Sequence, residues 1–428
     1  MSYGVGLRNG VAFALGTIPS LTSGGGLRPS LLLNFLSGTL DSRITFSRGT
    51  QATQYTSNGT LQYAPNNLLT YSNAPDNAAW TKSNSFVQTN LLPYSQELDN
   101  GAWTKAAGVT VAANATIAPD GTLTADRVTF ATGGAAEFLR GFATLTVGTV
   151  YTVSIYAQAA VGTPTFVFDV GNTTTSTAQT PTSVWQRFTF TFTFSGANQW
   201  IDLEASAAGT ISFWGAQLVR GSVPGDYRAT TSAALPVLYA DYNGVVRARK
   251  LCEDSATAAH NFNQATGVIG NTETLSFYAK AGERTWAISQ LGSSSVAYFD
   301  LQNGALGTIV AGTATITPAG NGYYRCTLTS VRATNTSSFI YCTTANNIAS
   351  NTGDGSSGIY IADAQLEAGS TVQAYNDTTS AAYYGPRFDY DPAGTPSIFG
   401  NQLVTNGDFS GGTATGWSAL AGGLLSVI

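Results

Sequence analysis

Three residues carry the most chemical interest: Trp200, Asp202 and Glu204, in "QWIDLEAS". Period-two alternation puts them on one side of a strand, with Ile201, Leu203 and Ala205 turned to a core. An indole beside two carboxylates suits a pyranose, whose apolar face stacks on the ring while its hydroxyls donate to the acids. The competing reading packs Trp200 under a loop or a neighbouring chain and leaves the acids in water. Glycoside hydrolysis fits less well. It needs carboxyl groups flanking a bond, about 5–10 Å apart, and acids at i and i+2 of one strand point the same way. Even a sugar bound there would not be cleaved, so no enzyme is expected.

Other chemistries lack their residues. One histidine, His260, serves the whole chain, against zinc sites and imidazole-dependent triads; a lone histidine is more often a packing residue. Three cysteines do not make a disulfide framework. Cys326 and Cys342 would meet only across a hairpin turning near Thr334, and reduced thiols are the expectation, with Cys252 a small core residue. The loops "NAPDN" and "NTGDGSSG" offer oxygen ligands for calcium, but without EF-hand spacing, and turn chemistry accounts for them equally. No metal and no cofactor are expected. No glycine loop follows a strand and opens a helix, which leaves nucleotide binding unsupported. A net charge of −5 with 10% charged residues provides no basic stripe for nucleic acid. "VAFALG" and "SLLLNFL" are too short for a secretion signal or a membrane span.

The elements that must position these residues are strands. In "RFTFTFTF", Phe188, Phe190, Phe192 and Phe194 share one face and Thr189, Thr191 and Thr193 the other. Burying each ring contributes about 1.5–3 kcal/mol, so the strand has one register and one inward side. "YTVSIYAQA", "TFVFDV", "TISFWGAQL", "TLSFYAKA" and "SGIYIADAQL" read alike, separated by Asn, Gly, Asp and Ser clusters, as in an antiparallel sandwich. With 43% apolar residues the chain can build cores, and at 428 residues it has room for two or three domains.

Two repeats organise the chain. "AQLVRGSVPGDYRATTSAA" (216–234) matches "AQLEAGSTVQAYNDTTSAA" (364–382) at an offset of 148, while "SIYAQA" matches "SFYAKA" at about 122, so the second copy carries insertions in its middle. "NLLTYSNAPDNAAWTK" (67–82) matches "NLLPYSQELDNGAWTK" (90–105) at an offset of 23. The expected fold is all-β: tandem antiparallel, jelly-roll-like β-sandwich modules behind an extended N-terminal anchoring arm. The expected segments are an arm over 1–66, a partial repeat or linker over 67–89, modules over 90–235 and 236–382, a connector over 383–400, and an incomplete third module over 401–428. The second module is read as beginning at "PVLYADYNG" without the opening phrase, and the packing of Trp80 is left open. Trp103 and Trp417 are read as structural parts of that phrase. Trp214 and Trp286 are read as core, Trp286 by alignment with Phe166.

"LDSRITFSRGTQATQYTSNGTLQYA" (40–64) resembles a stretch near the start of tailed-bacteriophage fibre and spike proteins. There an F-S-R-x-T-x-A-T phrase and a G-x-L phrase lead through P-R-F-D-Y-D-P to N-L-L-x-Y-S…W. This chain has Phe46-Ser47-Arg48, Ala52-Thr53 and Gly59-Thr60-Leu61, but "PRFDYDP" is displaced to 386–392. The "AQLEAGS…YNDTTSAA" segment is similar to the end of carbohydrate-binding-like jelly-roll modules of virion proteins. The resemblance implies a virion appendage assembled in the host cytoplasm: a tail fibre or tail spike, with a capsid (head) fibre or decoration protein as the alternative. It implies a homotrimer whose N-terminal arm grips tail, portal or capsid proteins, with no membrane insertion and a host surface glycan as a further partner. Arg43, Phe46 and Arg48 are the candidate anchoring residues. Two readings compete: a carbohydrate-binding module protein using Trp200, and a depolymerase spike whose catalytic domain lies beyond Ile428.

Overall fold

The computed structural model describes residues 46–162, 164–390 and 396–397. Every regular element among them is a β-strand, as the alternation requires. Among the described residues, those up to Asn67 and from Ala382 onward form one compact unit, and those within Leu68–Ala381 form the other.

The larger unit holds two β-sandwiches. After the first opening phrase come β1 (Thr81–Ser83) and β2 (Ser85–Val87). Then the first sandwich begins: β3 (Thr104–Lys105), β4 (Val109–Thr116), β5 (Ala125–Phe130), β6 (Phe138–Phe142) and β7 (Val150–Val161). It continues with β8 (Phe166–Val170), β9 (Thr174–Thr175), β10 (Gln186–Thr193), β11 (Trp200–Ala205) and β12 (Gly209–Arg220). One sheet runs β9-β8-β11-β6-β3 and the facing sheet β10-β7-β12-β5-β4. Their inner faces meet in a core that includes Trp103, Phe130, Phe166, Phe168, Phe194, Leu203 and Phe213.

The second sandwich follows with β13 (Tyr239–Ala240), β14 (Val246–Glu253), β15 (His260–Ala265), β16 (Thr272–Ala281) and β17 (Trp286–Leu291). Next are β18 (Ser295–Asp300), β19 (Ala305–Ile309), β20 (Thr313–Gly320), β21 (Tyr323–Val331), β22 (Ser337–Thr343) and β23 (Gly358–Ala368). Its sheets run β13-β14-β23-β16-β21-β20 and β19-β18-β17-β22-β15-β1, and β2 also pairs with β14. Strands β19 and β20 fall where the second copy is longer in sequence, and each extends one sheet at its edge.

The opening phrase at 67–82 therefore does not lie outside the modules as a partial repeat. Leu69, Trp80 and Val87 are buried in the second core with Phe262, Phe277, Phe299 and Leu366. β1 pairs with β15 across Asn261–Asn263 and β2 with β14 across Leu251–Glu253. The first sandwich is inserted into the second, directly after that sandwich's own opening. A sheet needs a strand at its edge, not one adjacent in sequence, and this is what sets the two phrases side by side.

Each phrase is bonded to its own closing segment. Leu91 N donates to Leu218 O and Leu68 N to Leu366 O, both at 2.8 Å. Ser95 Oγ meets Tyr227 Oη at 2.7 Å, and Ser72 Oγ meets Tyr375 Oη at 2.7 Å. Thr230 Oγ1 donates to Leu92 O and Thr378 Oγ1 to Leu69 O. Tyr94 and Tyr71 both take positive φ, 48° and 46°, a rare conformation for an aromatic residue. The turn aims each tyrosine carbonyl at its tryptophan: Trp103 Nε1 donates to Tyr94 O (3.1 Å) and Trp80 Nε1 to Tyr71 O (2.9 Å). Gly141 makes room for the first ring, because a Cβ there would meet Trp103 at 2.7 Å.

In the smaller unit, Thr53–Tyr55 pairs with Leu61–Tyr63 in a hairpin, and Asn66–Asn67 pairs with Tyr383–Tyr384. Phe388 N donates to Gln54 Oε1 (3.1 Å) and Gly385 N to Pro65 O (2.7 Å). The displaced "PRF" segment thus returns to the hairpin that carries the G-T-L phrase. Nesting operates twice. In sequence, residues 46–67 and 382–390 flank the second sandwich, whose own segments flank the first. The third phrase at 401–417 and Arg43 lie outside the described residues.

Candidate functional site

Strand β11 lies at the middle of its sheet, and Ile201, Leu203 and Ala205 do face the core. Trp200, Asp202 and Glu204 therefore share the outer face. Register brings further residues beside them. Asp202 lies opposite Arg140 on β6 and Asp169 on β8; Glu204 lies opposite Phe138 and Val167; Trp200 lies opposite Phe142.

Asp202 is fully buried, not solvated. The Arg140 guanidinium grips it with two bonds, Nε to Oδ1 at 2.7 Å and Nη2 to Oδ2 at 2.6 Å, the fork geometry that suits a carboxylate. The same guanidinium sits 4.0 Å from the Trp200 ring centre and 4.1 Å from that of Phe138. One indole face is thus taken by a cation. Phe142, 45% exposed, meets the indole edge-on at 6.5 Å, and the indole Nε1 is buried without a hydrogen-bond partner.

Burial, and then the Asp169 and Asp202 carboxylates, push the Glu204 carboxyl up to about 6. Burial also raises that of Asp202, against the pull of Arg140. Carboxylate oxygens of Asp169, Asp202 and Glu204 lie within 4.8 Å of one another. A cation there would have to displace the guanidinium from Asp202. It would also compete for Asp169, which accepts from Asn172 N (2.8 Å) and Thr175 Oγ1 (2.7 Å). The arrangement is an acid cluster neutralised by its own arginine, with a half-exposed indole and an exposed phenyl ring at one end.

The matching face of the second sandwich is of another kind. Lys105 lies opposite Leu139, and Lys82 opposite Phe262. Following that row across the sheets sets Arg140-Asp202-Asp169 against Asn263-Phe339-Gln290, and Phe138-Glu204-Val167 against Asn261-Tyr341-Ile288. Ile288, Tyr298 and Tyr341 are buried there, packed with Trp286, Val296 and Phe339. Trp286 is therefore on the outer face, not in the core. Ala287 and Leu291 face inward, so the counterpart of Phe166 is Ala287, and a one-residue slip in the sequence alignment reverses every side chain. Trp214 is buried too, but outside the inter-sheet core, against Ala118, Ala125, Tyr156, Trp185 and Tyr227.

Most of the remaining candidates have structural partners. His260 is fully buried between the carbonyls of Asn84 (2.6 Å) and Asn351 (3.1 Å). All three cysteines are buried and unbridged. In "NTGDGSSG", burial of Asp354 is outweighed by bonds from Ser357 and Ser356, which hold its carboxyl at about 2; in "NAPDN", Asp76 pairs with Arg249. Phe46 is exposed, and Arg48 is half-buried with Nε on Thr50 O (2.8 Å).

No family model and no curated protein matches the chain. Among solved structures, it is similar to the N-terminal CBM22-1–CBM22-2 tandem of Paenibacillus barcinonensis Xyn10C at 14% identity and a TM-score of 0.25, covering 68% of this chain and 100% of that one. It is also similar to the CBM22-1 xylan-binding domain of the same protein at 17% identity and a TM-score of 0.25, covering 32% and 95%. Superposition at that level bears on neither ligand nor activity.

Proposed function

We propose that this chain is a non-enzymatic structural and adhesive component of a bacteriophage particle, a tail fibre or tail spike. Its N-terminal segment holds other virion proteins, and its nested sandwiches are directed at the host surface. The observation that carries the reading is the return of "PRF" to the hairpin of the G-T-L phrase. Motif elements separated by more than three hundred residues of inserted sandwich come back together through Phe388 and Gln54, which supports the fibre resemblance where the sequence order departs from it. The test is an epitope tag on the chain in its producing phage, followed by density-gradient purification of particles. Co-purification is expected, with immunogold label at the tail. Label on the capsid would make it a head fibre, and a chain recovered only free of particles would overturn the reading.

A second reading, glycan binding at Trp200, Asp202 and Glu204, draws on the half-exposed indole with its unpartnered Nε1 beside Phe142. Such a site would use indole surface outside the Arg140 contact. Titration of the full chain with host surface polysaccharide is expected to give heat that Trp200→Ala abolishes. Heat unchanged by Trp200→Ala and Glu204→Gln would place any sugar elsewhere.

A further inference from the structure

The two sandwiches match bond for bond around β10 and β21. Thr152–Thr191 and Thr274–Thr329 hydroxyl pairs stand at 2.9 and 2.8 Å. Arg187 reaches Ser154 Oγ and Gly225 O, as Arg325 reaches Ser276 Oγ and Gln373 O. The strands differ in what lies beyond them. β21 is covered by β20, whose Ala314 and Ile316 stand opposite Leu328 and Cys326 and pack on the second core, leaving both fully buried. β10 ends its sheet, and among the described residues no strand pairs with its far side. Phe190 and Phe188, in the places of Leu328 and Cys326, are correspondingly only half-buried.

The open edge is also unguarded. Natural edge strands are blunted by shortness, proline, bulges or charge. β10 has eight residues with no proline or glycine, and pairs with β7 without a register break from Gln186 to Thr193. Its single charge, Arg187, is turned back onto Ser154 and Gly225. Phe194 directs both its N–H and its C=O at the β7 side, to Thr149 O and from Gly148 N. In an antiparallel strand these directions alternate, so Arg187, Thr189, Thr191 and Thr193 aim theirs outward. Their counterparts Arg325, Thr327 and Thr329 lie opposite Thr317, Thr315 and Thr313 of β20.

We propose that β10 pairs antiparallel with β10 of a second copy of this chain, joining the two sheets across a two-fold axis at Phe190. The strand is complementary to itself about that point. Thr189 falls opposite Thr191 of the partner copy, Arg187 opposite Thr193, and Phe188 opposite Phe192, so outward-facing groups meet outward-facing groups and rings meet rings. The two copies of Arg187 are held roughly 20 Å apart along the strands, six residues at the usual rise, so no like charges oppose. The half-exposed Phe188 and Phe190 then gain the cover that Ala314 and Ile316 give in the second sandwich.

Sedimentation equilibrium and residue-resolved hydrogen exchange on the full chain test this. The chain of 44.4 kDa is expected as a dimer, not the homotrimer that the fibre resemblance implies, with Thr189 and Thr191 amides protected. Thr189→Pro removes an outward N–H but no bond to β7, and Thr191→Lys sets two cations beside the axis. Each is expected to weaken association at least about 100-fold, Thr189→Pro exposing the Thr191 amide and Thr191→Lys the Thr189 amide. Should Thr189→Pro fail to fold, Thr191→Lys alone decides. A monomer at about 100 µM overturns the proposal, whether those amides exchange freely or are protected by some other segment. So does a trimer, or any assembly whose mass neither variant changes.

Discussion

The two sandwiches share their bonding and differ in what they do with it. Residue for residue at the offset of 148, Tyr227 and Tyr375 hold the opening phrases, Thr230 and Thr378 cap the same carbonyls, and Gln217 and Gln365 hold the tails. These bonds satisfy buried polar groups that would each cost about 1–3 kcal/mol if left unpaired, so the frame admits little change. The outer faces carry no such obligation. One became a carboxylate cluster clamped by Arg140, the other an aromatic sheet around Ile288, Tyr298 and Tyr341. A scaffold fixed by hydrogen bonds leaves its surfaces free to diverge.

The largest effect that can break this picture concerns the two opening tryptophans. Trp80→Ala is expected to destabilise the second sandwich by about 3–5 kcal/mol, and Trp103→Ala the first by as much. All three cysteines, Cys252, Cys326 and Cys342, are buried in the second sandwich, so thiol labelling reports its opening alone. Labelling is expected to accelerate at least about 100-fold in Trp80→Ala and to stay slow in Trp103→Ala under native conditions. Equal protection in Trp80→Ala and wild type would return residues 67–89 to the role of a linker.

The closing strands give the next effect. Glu367 and Asp363 are buried in β23, where the first sandwich has Val219 and Gly215. Burial pushes Glu367 up to about 7 and Asp363 up to about 6. A carboxyl raised in the folded state holds its proton more tightly there than in the unfolded chain. Its contribution is therefore fully present below the unfolded value of 4.5 and is lost as pH rises through about 7. The second sandwich is expected to lose roughly 2 kcal/mol between pH 5 and pH 8, read as faster thiol labelling. The first sandwich weakens through a narrower window, since Glu204 sits at about 6. Glu367→Val, which installs the first sandwich's residue, is expected to remove most of the pH dependence of labelling. A flat profile in wild type would show that Glu367 stays protonated or finds compensation.

Strands and inward sides were legible wherever apolar residues alternate cleanly, as in "RFTFTFTF" and "QWIDLEAS", because period two admits one buried face. "TWAISQL" misled for the same physical reason. Its core side holds Ala287, Ser289 and Leu291 while its outer side holds Trp286 and Ile288, so the bulkier set points away from the core. The candidate triad was on the predicted face, but Arg140 and Asp169 join it only through strand pairing, which single-strand periodicity does not encode. The nesting was hidden because reading along the chain assigns each phrase to the strands that come directly after it. The informative signal was the number of openings and closings: two opening phrases precede two closing segments, and nothing between the openings could form a domain.

The bonds shared by both sandwiches give the smallest effect. Tyr227 and Tyr375 each direct a part-buried hydroxyl at the serine of an opening phrase at 2.7 Å, but their settings differ. Tyr375 Oη also bonds Asp377 Oδ1 at 2.8 Å, whereas Tyr227 packs against Trp214 with ring centres 4.6 Å apart and planes inclined at 57°. Removing the hydroxyl alone should cost about 1 kcal/mol in each sandwich, more in Tyr375→Phe because Asp377 loses a donor as well. Only Tyr375→Phe should quicken thiol labelling, by roughly five- to tenfold, since the cysteines report the second sandwich. If Tyr227→Phe quickened it equally, the inserted sandwich would be transmitting its loosening to its host through β2 and Gln88, whose Nε2 bonds Arg220 O and Val223 O. The two sandwiches would then unfold as one cooperative body rather than as one domain carried inside another.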